Sequence, residues 1–514
     1  MDLTAIGVRT SWGAADWCIV IGNLLFLLVI GVYIKRYVGN ATAFMVAGRG
    51  LRTWLAVATM IGAELGLVTV MYSAQKGFVG GFAAFHIAFA AAIVTLIVGL
   101  TGFIVVPLRR MGVMTIPEFY EKRFSRNVRI LGGVILVFSG ILNMGLFLKA
   151  SSQFLMGVTG LTSANDLKLI MTALLAVVLV YTIMGGLVSV VICDYIQFVI
   201  LSIGMVLAVI LSINNLGWHN IIDTVSQLKG AAGFNPFMEE GFGTPYVIWM
   251  FFLGLVSCAV WQTAVIRACA AEDTKVVKKL YTWASIGFLI RFLIPYFLGI
   301  SAFVYISQHA NLKSIFLPEG TQAPSDVTLM AMPVFLSQIL PTVFIGLVTA
   351  GMLAAFTSTQ DAYILCWSTV LTQDVVAPWF KDGLSSKTRV LLTRIFLVAI
   401  SVFTLVWGLW YPLGEDLWDY MAISGAVYFT GAIALLVLGI YWKRASTVGA
   451  YLALISGFGA IFGLKPVQRI FGVKWASEDV GLTVIALATG LMVLGSLLFP
   501  DRKPSEGQIR SETI

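Results

Sequence analysis

The chain has 514 residues, of which 59% are hydrophobic and only 11% charged. A water-soluble chain of this size carries about 25% charged residues, so a soluble globular protein is excluded and a lipid bilayer is the solvent that suits this sequence. The net charge of +8 would point to nucleic acid in a soluble domain; here its distribution accounts for it, and no nucleic-acid partner is expected.

Apolar runs of about 20 residues, long enough to cross the hydrocarbon core as a helix, occur in chain order near 14–36, 53–78, 83–108, 130–158, 167–187, 188–213 and 245–268, then 278–307, 341–370, 390–411, 417–441, 446–464 and 479–499. Thirteen runs predict an all-α, polytopic membrane protein. The first is too long for a signal peptide and lacks a small-residue cleavage site. Gly185-Gly186 is expected to form a tight turn between the fifth and sixth runs. With residue 1 outside, the inside segments hold 22 Lys and Arg and the outside segments eight, Lys76 among them; Lys149, Arg291 and Arg394 fall within runs. By the positive-inside rule this places the N-terminus outside and the C-terminus in the cytoplasm, in the cell (inner or plasma) membrane. The longest polar loops, near 214–244 and 308–330, then lie outside, and no soluble domain is expected.

Further classes fall away. There is no Walker-type glycine loop, which argues against an ATP-driven pump. Five cysteines, Cys18, Cys193, Cys258, Cys269 and Cys366, lie in or at the edge of apolar runs and suggest no disulfide framework. Three dispersed histidines offer no metal cluster and no catalytic constellation, so neither an enzyme nor a bound cofactor is expected. Scattered single charges argue against a channel with a continuous polar pore.

Charges in mid-membrane are costly unless paired or hydrated. Glu64 lies in Ile61-Gly62-Ala63-Glu64-Leu65-Gly66, where flanking glycines weaken the helix; a broken helix exposes carbonyls that coordinate a cation. Its rival is a glutamate near a helix end among small packing residues. In Ala354-Ala355-Phe356-Thr357-Ser358-Thr359-Gln360-Asp361, Ala355, Ser358 and Thr359 share one helix face, and two hydroxyls with carbonyls suit a hard monovalent ion; the rival is hydroxyls bonded back to the preceding turn. Asp194 follows the Gly-Gly pair, with Gln197 about one turn on; it is either part of an ion relay or a charge hydrated at the inner surface.

The stretch Tyr181 to Gln197 resembles the signature of the sodium:solute symporters, the family of proline, pantothenate, sialic acid and glucose carriers. Thr115-Ile116-Pro117-Glu118-Phe119 with Arg123-Phe124 resembles the loop after their third helix. Gln262 to Arg267 with Ala270-Ala271 resembles the end of their seventh. Tyr441-Trp442-Lys443-Arg444 with Gly449-Ala450 resembles the turn after the eleventh, and Ala354 to Thr359 the sodium-site helix. The resemblance implies a LeuT-like core of two inverted five-helix repeats, 53–213 and 245–441. Residues 1–52 would form an extra helix and inside loop, 214–244 an outside loop, and 442–514 two further helices and a tail. It implies a sodium site of carbonyls from Gly62, Leu65 and Ala355 with the hydroxyls of Ser358 and Thr359. It implies a solute site at Glu64, Thr69, Trp261, Gln262 and Thr263, with sodium as the coupling ion. Glu64 falls where the proline carriers have an aspartate beside the ion.

A second ion site in some members pairs the helix-six aspartate, here Asp194, with hydroxyls one turn beyond Ser358. Asp361 and Ala362 stand there instead, so Asp361 is a stronger ligand or the site is lost. Sugar carriers usually place an asparagine where this chain has Trp261. An indole beside a carboxylate suits an apolar body with a cationic nitrogen, which favours an amino acid or related osmolyte. Lys149 either serves an anionic solute group or snorkels to the outer surface. The expectation is sodium-coupled symport of a small polar solute by alternating access. Its alternative is a proton-coupled carrier titrating Glu64 and Asp361; the oligomeric state is not readable.

Overall fold

The computed structural model describes residues 10–34, 50–161, 163–320, 323–380, 383–411 and 416–501, without the side chains of 30–32, 34, 63, 181, 184–196 and 198. Of the Lys and Arg counted above, Arg9, Lys35, Arg36, Arg49, Lys381, Arg502, Lys503 and Arg510 lie outside the described residues, as do the side chains of Cys193 and Asp194.

All thirteen apolar runs become helix. The first gives α1 (Ala14–Ile34), and the second is split into α2 (Thr53–Glu64) and α3 (Leu67–Gly80). Then come α4 (Phe85–Thr101), the short α5 (Ile116–Arg123), α6 (Arg126–Met144), α7 (Phe147–Thr159) and α8 (Ala164–Leu216). The outer loop expected at 214–244 carries α9 (Trp218–Lys229), and the seventh run is split into α10 (Thr244–Leu255) and α11 (Gln262–Ala270). α12 (Thr274–Ser307), α13 (Ala331–Ile339), α14 (Phe344–Val370), α15 (Ser386–Trp410) and α16 (Leu417–Tyr441) follow, then α17 (Thr447–Ser456) and α18 (Ser477–Leu498). By length and apolarity alone, seven helices among the described residues suffice to cross a bilayer, or nine when each of two bent pairs counts as one span. Breaks and doubling back account for part of the shortfall from thirteen.

α8 is the doubled case. Its backbone is helical along 53 residues, about 80 Å if straight against a core of about 30 Å. Its neighbours show that it turns back. The Ile183 carbonyl accepts from Arg394 Nε (2.9 Å) and Met171 lies against Gly408, so its first half runs antiparallel to α15. Gln197 Nε2 donates to Thr357 Oγ1 (2.7 Å) and Gly204 lies against Val348, so its second half runs antiparallel to α14. α14 and α15 themselves run in opposite directions: Gly140 packs on Trp367 of α14 and Gly145 on Trp407 of α15, while Arg129 meets Asp374 just past the end of α14. The chain therefore reverses between Ile183 and Gln197. That stretch contains Gly185-Gly186, the pair at which the sequence placed the turn, and the chain folds back there without an intervening loop.

Two features tie the ends of the core together. On the basic face of the molecule, where Arg52, Arg109 and Lys275 lie, Leu51 N donates to Ala270 O (3.1 Å) and Glu272 N to Leu51 O (3.0 Å), joining the start of α2 to the end of α11. On the opposite face, buried Asp16 of α1 accepts from Val343 N (2.8 Å) and Gly346 N (2.9 Å) through one carboxylate oxygen and from Gly13 N (2.8 Å) through the other. It thereby satisfies donors that α14 would otherwise leave bare at its N-terminus.

Candidate ion and solute site

The first helix of each five-helix set is interrupted at mid-length. α2 ends at Glu64, Leu65 takes φ −93°, ψ 64° and Gly66 is extended at φ −81°, ψ 163° before α3 begins. Glycine is required at 66 because a Cβ there would lie 2.3 Å from Thr359 Oγ1. The second interruption has neither Gly nor Pro at its centre. α10 runs into one π turn, Val256–Val260, and breaks at Trp261 (φ −79°, ψ 128°), so that α11 leaves at 40°. π turns within helices are frequent at functional sites.

The interruptions face α14. Ser358 Oγ donates to the Gly62 carbonyl (3.3 Å), and Thr359 abuts Gly66. Ala355, Ser358, Thr359 and Leu65 are all buried. The break leaves carbonyls without their helical partners, and one of the two hydroxyls, Ser358, meets the Gly62 carbonyl beside it. Among the described residues, no group of three His, Cys, Asp or Glu side chains could hold a metal. Asp361 is fully buried on the same helix.

Glu64 is set between the two broken helices. Its Oε1 accepts from Thr263 Oγ1 (2.9 Å), and its Oε2 lies 3.6 Å from Arg291 Nη1 of α12. Arg267 crosses between the same helices, donating to Thr263 O (2.5 Å) and Thr59 O (3.3 Å). Beside Glu64 is a cavity of about 90 Å³ lined by residues including Tyr72, Asn143, Ser257, Trp261, Arg291 and Trp418. Glu64 and Trp261 line it, as the sequence suggested, and Thr263 stands behind Glu64.

Thr69 and Gln262 have other partners. Thr69 Oγ1 donates to the Glu64 carbonyl (3.0 Å), capping the broken end. Gln262 Oε1 accepts from Ile116 N (2.8 Å), pinning α11 to α5 and away from the cavity lining. Lys149 donates to the Tyr411 carbonyl (2.8 Å) at the end of α15 and does not reach the cavity. Lys76 is a correction: counted with an outer loop, it is a buried residue of α3, paired with Asp416 (3.0 Å) and Asp419 (2.9 Å). Arg291 was visible as a charge within an apolar run, but nothing in the sequence joined it to Glu64. The walls given by Tyr72, Asn143 and Trp418 carried no signal, being ordinary members of apolar stretches.

Residues 44–457 match the sodium:solute symporter family. The chain belongs to that family. Relatives of this symporter include sodium/glucose cotransporter 4 of Danio rerio, 24% identical over 90% of this chain and 74% of the relative. The human sodium/myo-inositol cotransporter is 27% identical over 99% of this chain and 76% of that one. Among solved structures, the substrate-bound outward-open state of a Na+-coupled sialic acid symporter is similar with a TM-score of 0.81 at 19% identity, over 96% of this chain and 100% of that one. A nucleobase-cation-symport-1 transporter in a closed conformation is more distant, at a TM-score of 0.55 and 14% identity. The symporter thus has the LeuT-like architecture of about 13 helices, sodium is its coupling ion, and its family is one of carriers, not enzymes.

Proposed function

We propose that this symporter imports a small polar solute with sodium by alternating access, the ion being held by Gly62, Leu65, Ala355, Ser358 and Thr359 and the solute beside Glu64 and Trp261. The observation that carries this reading is the meeting of the α2–α3 break with α14, where Ser358 reaches Gly62 and Gly66 abuts Thr359. Sodium at that junction bridges the two repeats, 53–213 and 245–441. The basic face is then cytoplasmic and the membrane is the cell membrane. The potential across it favours entry of each sodium charge by about 2.3 kcal/mol per 100 mV. Asp194 with Ser358 and Asp361 is the place for a second ion in this scheme. An amino acid or related osmolyte remains the favoured solute, although relatives carry glucose and inositol by name.

The test is uptake into proteoliposomes under a sodium gradient, for wild type and for S358A/T359A. Loss of sodium-driven uptake with normal insertion supports the site. Sodium-driven uptake that survives in the double variant, or uptake driven by a proton gradient alone, overturns it.

A further inference from the structure

We infer that the cavity selects solutes bearing a carboxylate, which Arg291 and Trp418 bind; the inference rests on the reading that solute and sodium meet at this cavity. The Arg291 side chain is 97% buried, its relative exposure being 3%, and its Nε and Nη1 have no hydrogen-bond partner. The 3.6 Å approach of Nη1 to Glu64 balances charge without making a hydrogen bond. Trp418 Nε1, on the same cavity, is likewise buried without an acceptor. Neither group is placed to turn elsewhere. The guanidinium carbon lies 3.9 Å from the ring centre of Phe288 and 4.5 Å from that of Phe292, and the Trp418 ring packs on Tyr72 at 4.6 Å. Buried polar groups are normally satisfied, so donors left idle around a binding cavity point to what the ligand brings.

Both groups only donate. A carboxylate takes donors alone and matches the planar guanidinium fork, so these two idle donors suit it. Glu64 is already engaged by Thr263 and Arg291, which removes the free anion that a cationic nitrogen would need. The charges then explain coupling. Glu64 and Arg291 cancel; an added carboxylate leaves one negative charge in a poorly solvated space, and sodium at the adjoining break restores neutrality. Carboxylate affinity is therefore conditional on sodium.

The probes are a panel of monocarboxylates and amino acids, each beside its amide, together with glucose and myo-inositol. The readout is the thermal unfolding midpoint of the purified symporter in sodium or potassium chloride. The expected result is a rise in midpoint for at least one acid in sodium only, with no rise for its amide. A response confined to simple acids assigns an anionic solute, and one confined to amino acids a zwitterionic one; both support the carboxylate. R291Q and, less severely, R291K should weaken the apparent affinity for that acid by about tenfold or more. The midpoint of R291Q in sodium without solute reports that the variant is folded. No response to any acid, an equal response to acid and amide, or an acid response untouched in both variants overturns the inference. The ion reading fails separately: an intact sodium response in S358A/T359A discredits that site whatever the acids do.

Discussion

At the scale of single residues, the ion junction is set by contact distances that leave no slack. Gly66→Ala puts a methyl group 2.3 Å from Thr359 Oγ1, and overpacking of this kind costs about 1–3 kcal/mol. The variant is expected to need about tenfold more sodium for half-maximal uptake, measured as a sodium titration at fixed solute. Thr263→Val acts differently. It strips Glu64 of the donor at 2.9 Å, a loss of about 1–3 kcal/mol for a buried carboxylate, so solute affinity should fall while the sodium midpoint stays within about twofold. Glu64 was legible in the sequence because an isolated charge in an apolar run needs a partner, and Ser358 and Thr359 because their spacing shares a face. Arg291, Tyr72 and Trp418 were not legible as a group, since only the fold brings three distant helices around one cavity.

At the scale of elements, the two interruptions have different origins and different sequence visibility. Gly62 and Gly66 announced the first. The second rests on a π turn among Val256–Val260, which has no sequence signature, and on the anchor to α5 that Gln262 provides. Gln262→Ala leaves the Ile116 N–H, bonded at 2.8 Å, without its acceptor in a buried position. Stability should drop by about 1–3 kcal/mol in denaturation midpoints. The ranking of solutes should be unchanged, because Gln262 does not line the cavity; a reordered ranking would return it to the solute site. Run length marked all thirteen segments, and Gly185-Gly186 marked the reversal within α8, which the helices packed on either half display.

At the scale of the whole molecule, polar networks flank the cavity toward both faces. Away from the basic face, Lys76 joins Asp416 and Asp419, and Gln75 donates to the Ser325 carbonyl (2.8 Å) and the Thr328 hydroxyl (2.9 Å). Toward the basic face, Asp374 accepts from Arg129 Nε and Thr115 Oγ1, both at 2.8 Å, and Arg129 also reaches Glu121. In the alternating-access scheme proposed above these networks part in turn, so weakening one shifts the population toward the form that the other holds. With Ser257→Cys as a reporter in the cavity and the native cysteines replaced, Lys76→Met should speed labelling by an impermeant thiol reagent from outside. Asp374→Asn should slow it. Labelling rates that move in the same direction for both would show that the networks only stabilise the fold.

The carboxylate of Asp16 gives the first span a part in all of this. It holds the backbone donors of Val343 and Gly346, and Val343 itself takes a left-handed φ of 75°, a conformation a branched residue adopts at a cost. The strained start of the helix bearing Ser358 and Thr359 is thus secured by a segment that precedes the ten-helix core. Trimming the chain to that core, a natural economy for crystallography or engineering, would unseat the coordinating helix at its root.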